Sequence, residues 1–243
     1  MAKIVLKIKF LGTRYCGWQV QKNAVSVQET LQNAVEKVFL KRYGISGCSR
    51  TDSGVHANEY FCHIDDAPEF DVSKLPLALN VFLPEDIAVI SAEYKDDDFH
   101  SRYSAKGKEY IYLIHNSNIK DPFIYGRAFQ YGREIDTERA KRLSLDFVGT
   151  HDFTSFMSAH SKITDAVRNV YYFDIDKQGD MITFKVAADG FLYNMVRIMT
   201  GTLLCVLAGS VKMSIGEIID KKDRSFAGWT APAEGLYLNK VFY

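Results

Sequence analysis

Between residues 4 and 39 the apolar pattern changes its period, and that change constrains the fold more than any other feature of the chain. Ile4, Leu6, Ile8 and Phe10 lie on one side of an alternating segment whose other side is mostly lysine, Lys7 and Lys9. A period of two is the mark of a half-buried strand. From Ser26 onward the spacing lengthens. Leu31, Ala34, Val35, Val38 and Phe39 fall at i, i+3, i+4, i+7 and i+8, and Ser26 with Glu29 has the form of a capping box. A strand followed by a capped amphipathic helix must bury one apolar face against the other, so architectures made of helices alone or strands alone are excluded.

The mixture continues along the chain. A Gly- and Ser-rich loop (44–54) precedes a strand around 57–64, a short helix near 73–82 and a strand around 87–94. Asp96-Asp97-Asp98 reads as a surface turn and a candidate boundary. The second half opens with a strand at 107–115 that places Tyr110, Tyr112 and Ile114 on one face, and a helix near 137–148 follows. Strands near 167–177 and 180–188 join across Lys177-Gln178-Gly179-Asp180. An apolar helix from about 191 ends near Gly209, a Ser214–Glu217 capping box opens a last short helix, and 235–243 closes as a strand. Without strict βαβ alternation, this order predicts an α+β fold. Two similar-sized sub-domains, 1–105 and 106–243, would each carry a mainly antiparallel sheet backed by helices, with an active-site cleft between them.

Composition narrows the class. The chain has 243 residues, 47% apolar and 25% charged, enough for a sizeable core and unlike disordered, collagen-like or disulfide-scaffold sequences. Its 30 basic and 30 acidic side chains cancel, but unevenly. Residues 1–59 hold 9 basic and 4 acidic side chains, residues 60–98 hold 2 and 10, and residues 99–142 hold 9 and 5. Such blocks are either solvated surface or the parts of a basic face that attracts an anionic polymer. Cys16, Cys48, Cys62 and Cys205 are scattered without a CxxC pair, and Met1-Ala2-Lys3 leads straight into a strand, so reduced thiols and a cytoplasmic location are expected. The apolar run Phe191–Leu207 is broken by Asn194 and Arg197 and reads as a buried helix rather than a membrane span.

Chemistry concentrates in Ser49-Arg50-Thr51-Asp52-Ser53-Gly54-Val55-His56-Ala57. An aspartate in a loop of small residues can stand exposed in an unusual backbone conformation, and Arg50 could keep it ionised as a nucleophile or general base. The plainer alternative is an Asx-turn in which Asp52 caps its own loop. His56 and His63, with Cys48, Asp52 and Cys62 nearby, lack the close ligand pairs of a metal site, so none is expected. Walker, GxGxxG and GxSxG patterns are absent too. Tyr110 and Tyr112, bordered by Lys106 and Lys108, could form a stacking platform for bases or simply pack inside a sheet. Arg197 sits in an apolar helix, where an unpaired charge costs several kcal/mol; it must reach the surface or meet an anion such as Asp52 or a phosphate.

Taken together these segments resemble the tRNA pseudouridine synthase A family. Tyr15-Cys16-Gly17-Trp18-Gln19-Val20-Gln21 is similar to its YxGWQxQ signature, and Arg50–Ala57 to the RTDxGVHA loop that holds its catalytic aspartate. Phe99–Ala105 resembles its FxARFSA segment and Lys108–Tyr112 its KxYxY strand. Asp152–Phe156, Met195-Val196-Arg197 and Ala233–Leu238 match later blocks. Ser49 stands where Gly is usual, Ser53 and Ser101 where Ala is, and Tyr103 where Phe is.

The resemblance implies isomerisation of uridine to pseudouridine on the 3′ side of the tRNA anticodon stem-loop, by a homodimer, with no metal or cofactor and no membrane. It assigns Asp52 as the nucleophile, with Arg50 and Arg197 flanking it. It assigns Tyr110 to stacking on the target base and Arg102, Gln19 and His56 to the substrate. Attack at C1′, attack at C6 and a glycal route all remain open. So do two alternatives on the same scaffold: a non-catalytic RNA-binding protein, and a paralogue acting on another RNA.

Overall fold

A computed structural model describes residues 3–66, 68–158 and 164–243, so Met1 and Ala2, read above as leading straight into the first strand, lie outside the described residues. The chain runs β1 (Lys3–Phe10), α1 (Val27–Phe39), β2 (Ile45–Gly47), β3 (His56–Ile64), α2 (Leu75–Asn80) and β4 (Ile87–Lys95). It continues through β5 (Gly107–His115), β6 (Phe129–Gln130), α3 (Thr137–Ser144), β7 (Gly149–Asp152), β8 (Val167–Gln178) and β9 (Met181–Ala188). Helices α4 (Met195–Leu207) and α5 (Ile215–Lys221) and strand β10 (Leu236–Phe242) complete it. The fold is α+β. It divides into two units, Met1–Lys106 with Tyr237–Tyr243, and Gly107–Leu236.

In the first unit β1 lies between β3 and β4, antiparallel to both, with Ile4 opposite Ile64 and Tyr94. Ile4, Leu6 and Ile8 are fully buried, as the alternation requires. Strand β2 adds antiparallel to β3, and β10 pairs parallel to it, Tyr237 beside His56 and Leu238 beside Ala57. The last strand thus belongs to the first unit, although the sequence places it in the second. Its hydrogen-bonding edge, not its neighbours along the chain, decides where it packs. Helix α1 covers the core with Val27, Leu31, Ala34 and Val35, and Ser26 Oγ accepts the Glu29 N–H at 3.2 Å to cap it.

The second unit is built on the antiparallel order β5-β9-β8-β7, with β6 parallel to β5. Tyr110, Tyr112 and Ile114 of β5 point to its buried face, and α4 buries Met195, Val196, Ile198, Met199 and most residues beyond. Helix α4 begins at Met195, four residues later than the apolar run suggests, because Asn194 adopts a left-handed conformation (φ 61°, ψ 10°) and the helix cannot extend back through it. Strands β2 and β7 escape the sequence reading because Ile45-Ser46-Gly47 and Gly149-Thr150-His151-Asp152 carry no apolar alternation; their register comes from β3 and β8.

Replacing the α1 cap by Ser26→Ala is expected to destabilise the protein by about 1 kcal/mol, read as a lower urea midpoint at unchanged slope. An unchanged midpoint would show that the cap contributes nothing to the first unit.

Candidate active site

Asp52 lies half-buried in the loop between β2 and β3. The turn after it is closed by the main chain, with Val55 N–H donating to the Asp52 carbonyl at 3.2 Å. This closing bond is made by the main chain and does not use the carboxylate. The loop is braced by residues 12–18. Gly54 N–H and Ser53 Oγ both donate to the Tyr15 carbonyl, and Trp18 N–H reaches the Thr51 carbonyl at 3.4 Å. A Cβ on Gly12 would stand 1.9 Å from the Val55 carbonyl oxygen, and one on Gly17 (φ 97°) would stand 2.2 Å from that of Thr51. Neither approach is possible with a side chain. Trp18 is buried and stacks on Tyr60 at 4.3 Å, and the Tyr60 hydroxyl donates to the Ser49 carbonyl on the other side of the loop.

The remaining expected residues of this unit fall into two groups. Arg50 and Arg102 are exposed. Gln19 is exposed as well, with Nε2 donating to Gln28 Oε1 at 2.8 Å, while Gln28 itself donates to the Ile45 carbonyl at 2.7 Å. His56 is different: it is 0% exposed, its Nδ1 accepts the Gly12 N–H at 2.9 Å, and its ring stacks on Tyr237 at 4.5 Å. His56 thus holds the turn before Tyr15 against the Asp52 loop.

Arg102 sits on a turn pinned from below. His63, 1% exposed, offers Nδ1 to Ser101 Oγ at 2.9 Å and accepts the Ser101 N–H at 3.2 Å. Tyr243 OH donates to the Ser101 carbonyl at 2.7 Å, Lys3 Nζ to that of Phe99 at 3.0 Å, and Ser104 Oγ accepts the His100 N–H. The guanidinium of Arg102 lies over the exposed Tyr103 ring, 5.7 Å from its centre. Burial lowers the His63 pKa to about 4; Asp65 opposes this, while His100 and Lys3 add to it. The imidazole is thus neutral near pH 7, with Nδ1 as acceptor and Nε2 facing Asp65 at 3.7 Å. Among the described residues no group of three or more His, Cys, Asp or Glu could hold a metal ion.

Tyr110 and Arg197 belong to the second unit. Tyr110 is 6% exposed and meets Phe191 edge-to-face at 5.0 Å, whereas Tyr112 is wholly buried with its hydroxyl donating to the Pro232 carbonyl at 2.7 Å. The two tyrosines do not form an open platform, since both share the face of β5 that the core covers. Only Tyr110 keeps an edge at the surface. Arg197 is half-buried, with Nε donating to the Ala231 carbonyl and Nη1 to Asn194 Oδ1, both at 2.7 Å. Within its unit these neutral acceptors carry part of the charge that the apolar helix cannot solvate. The sequence reading left out Gly12, Gln28 and the His63–Ser101 pair. The two glycines bracketing Tyr15, in a segment without apolar periodicity, were the one signal that could have found part of this set.

Residues 7–104 and 144–243 match the family model described as tRNA pseudouridine synthase. The chain is 42% identical over 244 residues to the tRNA pseudouridine synthase A of Thermoanaerobacter pseudethanolicus and 40% identical to that of Acetivibrio thermocellus, with 100% of both partners covered in each case. Among solved structures, that of a Cbf5-Nop10-Gar1 complex is similar over 96% of this chain and 57% of that one, at 11% identity and a TM-score of 0.42. The chain belongs to the tRNA pseudouridine synthase A family and is an isomerase. Among the described residues no helix is long and apolar enough to cross a membrane.

The neutral, buried state of His63 has a consequence for stability. The unfolded chain binds a proton at the ordinary histidine pKa near 6.5, whereas the folded protein resists it down to about 4. Stability is therefore full above pH 6.5 and falls as pH drops through the window to 4, because there the unfolded state binds more protons. In His63→Gln the melting temperature should depend less steeply on pH across that window. Parallel profiles for the two proteins would mean that His63 titrates alike in both states.

Proposed function

We propose that this protein converts uridines on the 3′ side of the tRNA anticodon stem-loop to pseudouridine, with the Asp52 carboxylate as nucleophile. The observation that carries this reading is the braced, main-chain-closed turn that holds Asp52 half-buried, in a chain that belongs to a tRNA pseudouridine synthase family. Pseudouridine formation breaks the N1–C1′ bond, turns the uracil, joins C5 to C1′, and moves the C5 proton to solvent while N1 gains one. Atoms balance without redox change or hydrolysis, so the reaction calls for no cofactor. The carboxylate adds to C1′ or to C6, or takes up the proton of a glycal route. In every version a fixed anion beside the sugar is the requirement, and a held loop supplies it better than a mobile one.

The other assignments follow. Arg50 serves as the cation for Asp52 and Arg197 as a cation for a substrate phosphate, since a guanidinium keeps its charge at any working pH. The edge of Tyr110 packs against the flipped uracil, whose removal from its stack costs a few kcal/mol that an aromatic contact partly restores. Arg102 and Gln19, exposed on braced segments, engage the RNA backbone. By family resemblance the protein acts in the cytoplasm as a homodimer.

Tritium release from tRNA labelled at C5 of uridine, followed by mapping of the product, tests the reading. Wild-type protein is expected to release tritium from the anticodon stem-loop. Asp52→Asn should bind the same tRNA within about 3-fold and release none; normal turnover by this variant removes the nucleophile assignment. Arg197→Met should lose activity by about 100-fold or more with only a modest fall in melting temperature, the cost of stranding its two half-buried acceptors. A large fall in melting temperature, with activity lost in proportion, would instead make Arg197 a structural residue.

A further inference from the structure

We propose that Asn194 is the positioning residue that sets the plane of the Arg197 guanidinium; this rests on the role given to Arg197 above. Asn194 is one of four described non-glycine residues with positive φ, together with Leu40, Asp66 and Lys222. Asparagine tolerates this region better than most residues. It occupies the N-cap of α4, where an asparagine side chain ordinarily accepts a main-chain N–H of the first turn. Here it makes no such bond. Its Oδ1 accepts Arg197 Nη1 at 2.7 Å and its Nδ2 donates to Ser158 Oγ at 2.8 Å. The polar end of the side chain is spent on Arg197 rather than on the helix it begins.

The chemistry of the partners orients the amide. A guanidinium only donates, so the oxygen of Asn194 must face it, and the NH₂ is left for the Ser158 hydroxyl. Arg197 is held at a second point, where Nε donates to the Ala231 carbonyl at 2.7 Å. Ala231 in turn donates its N–H to the Arg197 carbonyl at 3.0 Å, which ties the loop carrying that acceptor to the helix. Two bonds from different nitrogens of a rigid planar group fix both its tilt and its rotation. The direction of its remaining N–H groups then follows from Asn194 and Ala231. The left-handed backbone of Asn194 makes the reach possible, because it turns the chain at the start of the helix and brings a side chain three residues earlier onto the Arg197 head.

Neutrality matters as much as reach. An aspartate at 194 would keep the left-handed backbone and the acceptor, but it would add a carboxylate that competes for the cation and would lose the donor to Ser158. A glycine would keep the backbone without strain and lose both bonds. The two changes therefore separate the clamp from the turn.

The test uses the full-length protein and full-length tRNA, reading the single-turnover rate of pseudouridine formation, the tRNA dissociation constant and the melting temperature. Asn194→Gly is expected to slow the single-turnover step by about 10-fold or more, as a misaimed catalytic group does, with tRNA binding within about 3-fold. Asn194→Asp should also slow it, with no fall in melting temperature. The deciding readout is the combination with Arg197→Lys, a cation that lacks the fork Asn194 aligns. In that background Asn194→Gly should cost less than about 2-fold, since the two changes remove one and the same alignment. Losses that multiply, or an Asn194→Gly enzyme as fast as wild type, would overturn the positioning role. Full activity in Arg197→Met would overturn the reading of Arg197 itself, which separates the two failures. If Asn194→Gly fails to fold, Ser158→Ala removes the second anchor of the amide. It should give a smaller loss that disappears in the Arg197→Lys background, and a loss that persists there counts against the proposal.

Discussion

The main chain of residues 12–18 lies against the 51–55 loop so closely that no side chain fits between them. At Gly12 and Gly17 the space a Cβ would need is filled by the carbonyl oxygens of Val55 and Thr51. The hold on the Asp52 loop depends on that contact. It lets Tyr15, Gly54 and Ser53 share hydrogen bonds, lets Trp18 stack on Tyr60, and lets Tyr60 reach the Ser49 carbonyl, so the loop is gripped on both flanks. His56 closes the same arrangement from β3 by accepting the Gly12 N–H. A reactive carboxylate gains from such a hold, because the cost of ordering its loop falls on folding rather than on catalysis.

The second unit solves another problem, a cation in an apolar helix. Arg197 is surrounded along α4 by buried Met195, Val196, Ile198 and Met199, and a guanidinium there needs acceptors near at hand. Asn194 and Ala231 supply them without neutralising the charge. The guanidinium is thus oriented within its unit by two neutral acceptors. Elsewhere in the unit, burial pushes the Tyr112 phenol well above the usual tyrosine range, so it stays protonated and donates to the Pro232 carbonyl.

Much of this was legible in the residues. The period-two and helical segments at 4–10, 27–39, 107–115 and 167–188 became β1, α1, β5 and the β8–β9 hairpin, because a strong apolar pattern and its burial are the same constraint seen twice. The short strands β2 and β7 were not legible, since their pairing is set by β3 and β8 and leaves no periodic trace. The loop 50–57 stood out by its small residues around Asp52. The interior role of His56 did not, because a histidine reads alike in sequence whether it meets substrate or holds a glycine amide. Tyr110 and Tyr112 share a face by alternation, but nothing in that alternation says that one is sealed in the core and the other keeps an edge.

The sequence by itself determined the α+β class, the order of its major elements and the loop on which the candidate nucleophile stands, because periodicity, capping boxes and small-residue turns act over a few neighbouring residues. Tertiary structure alone decided three things: that the last strand joins the first unit beside β3, that Gly12 and Gly17 make room for the Asp52 loop, and that Asn194 turns away from its helix to hold Arg197. Each depends on main chains or side chains far apart in sequence, or on a backbone conformation that many residue types could in principle adopt. Only the close packing of the folded chain selects among such options.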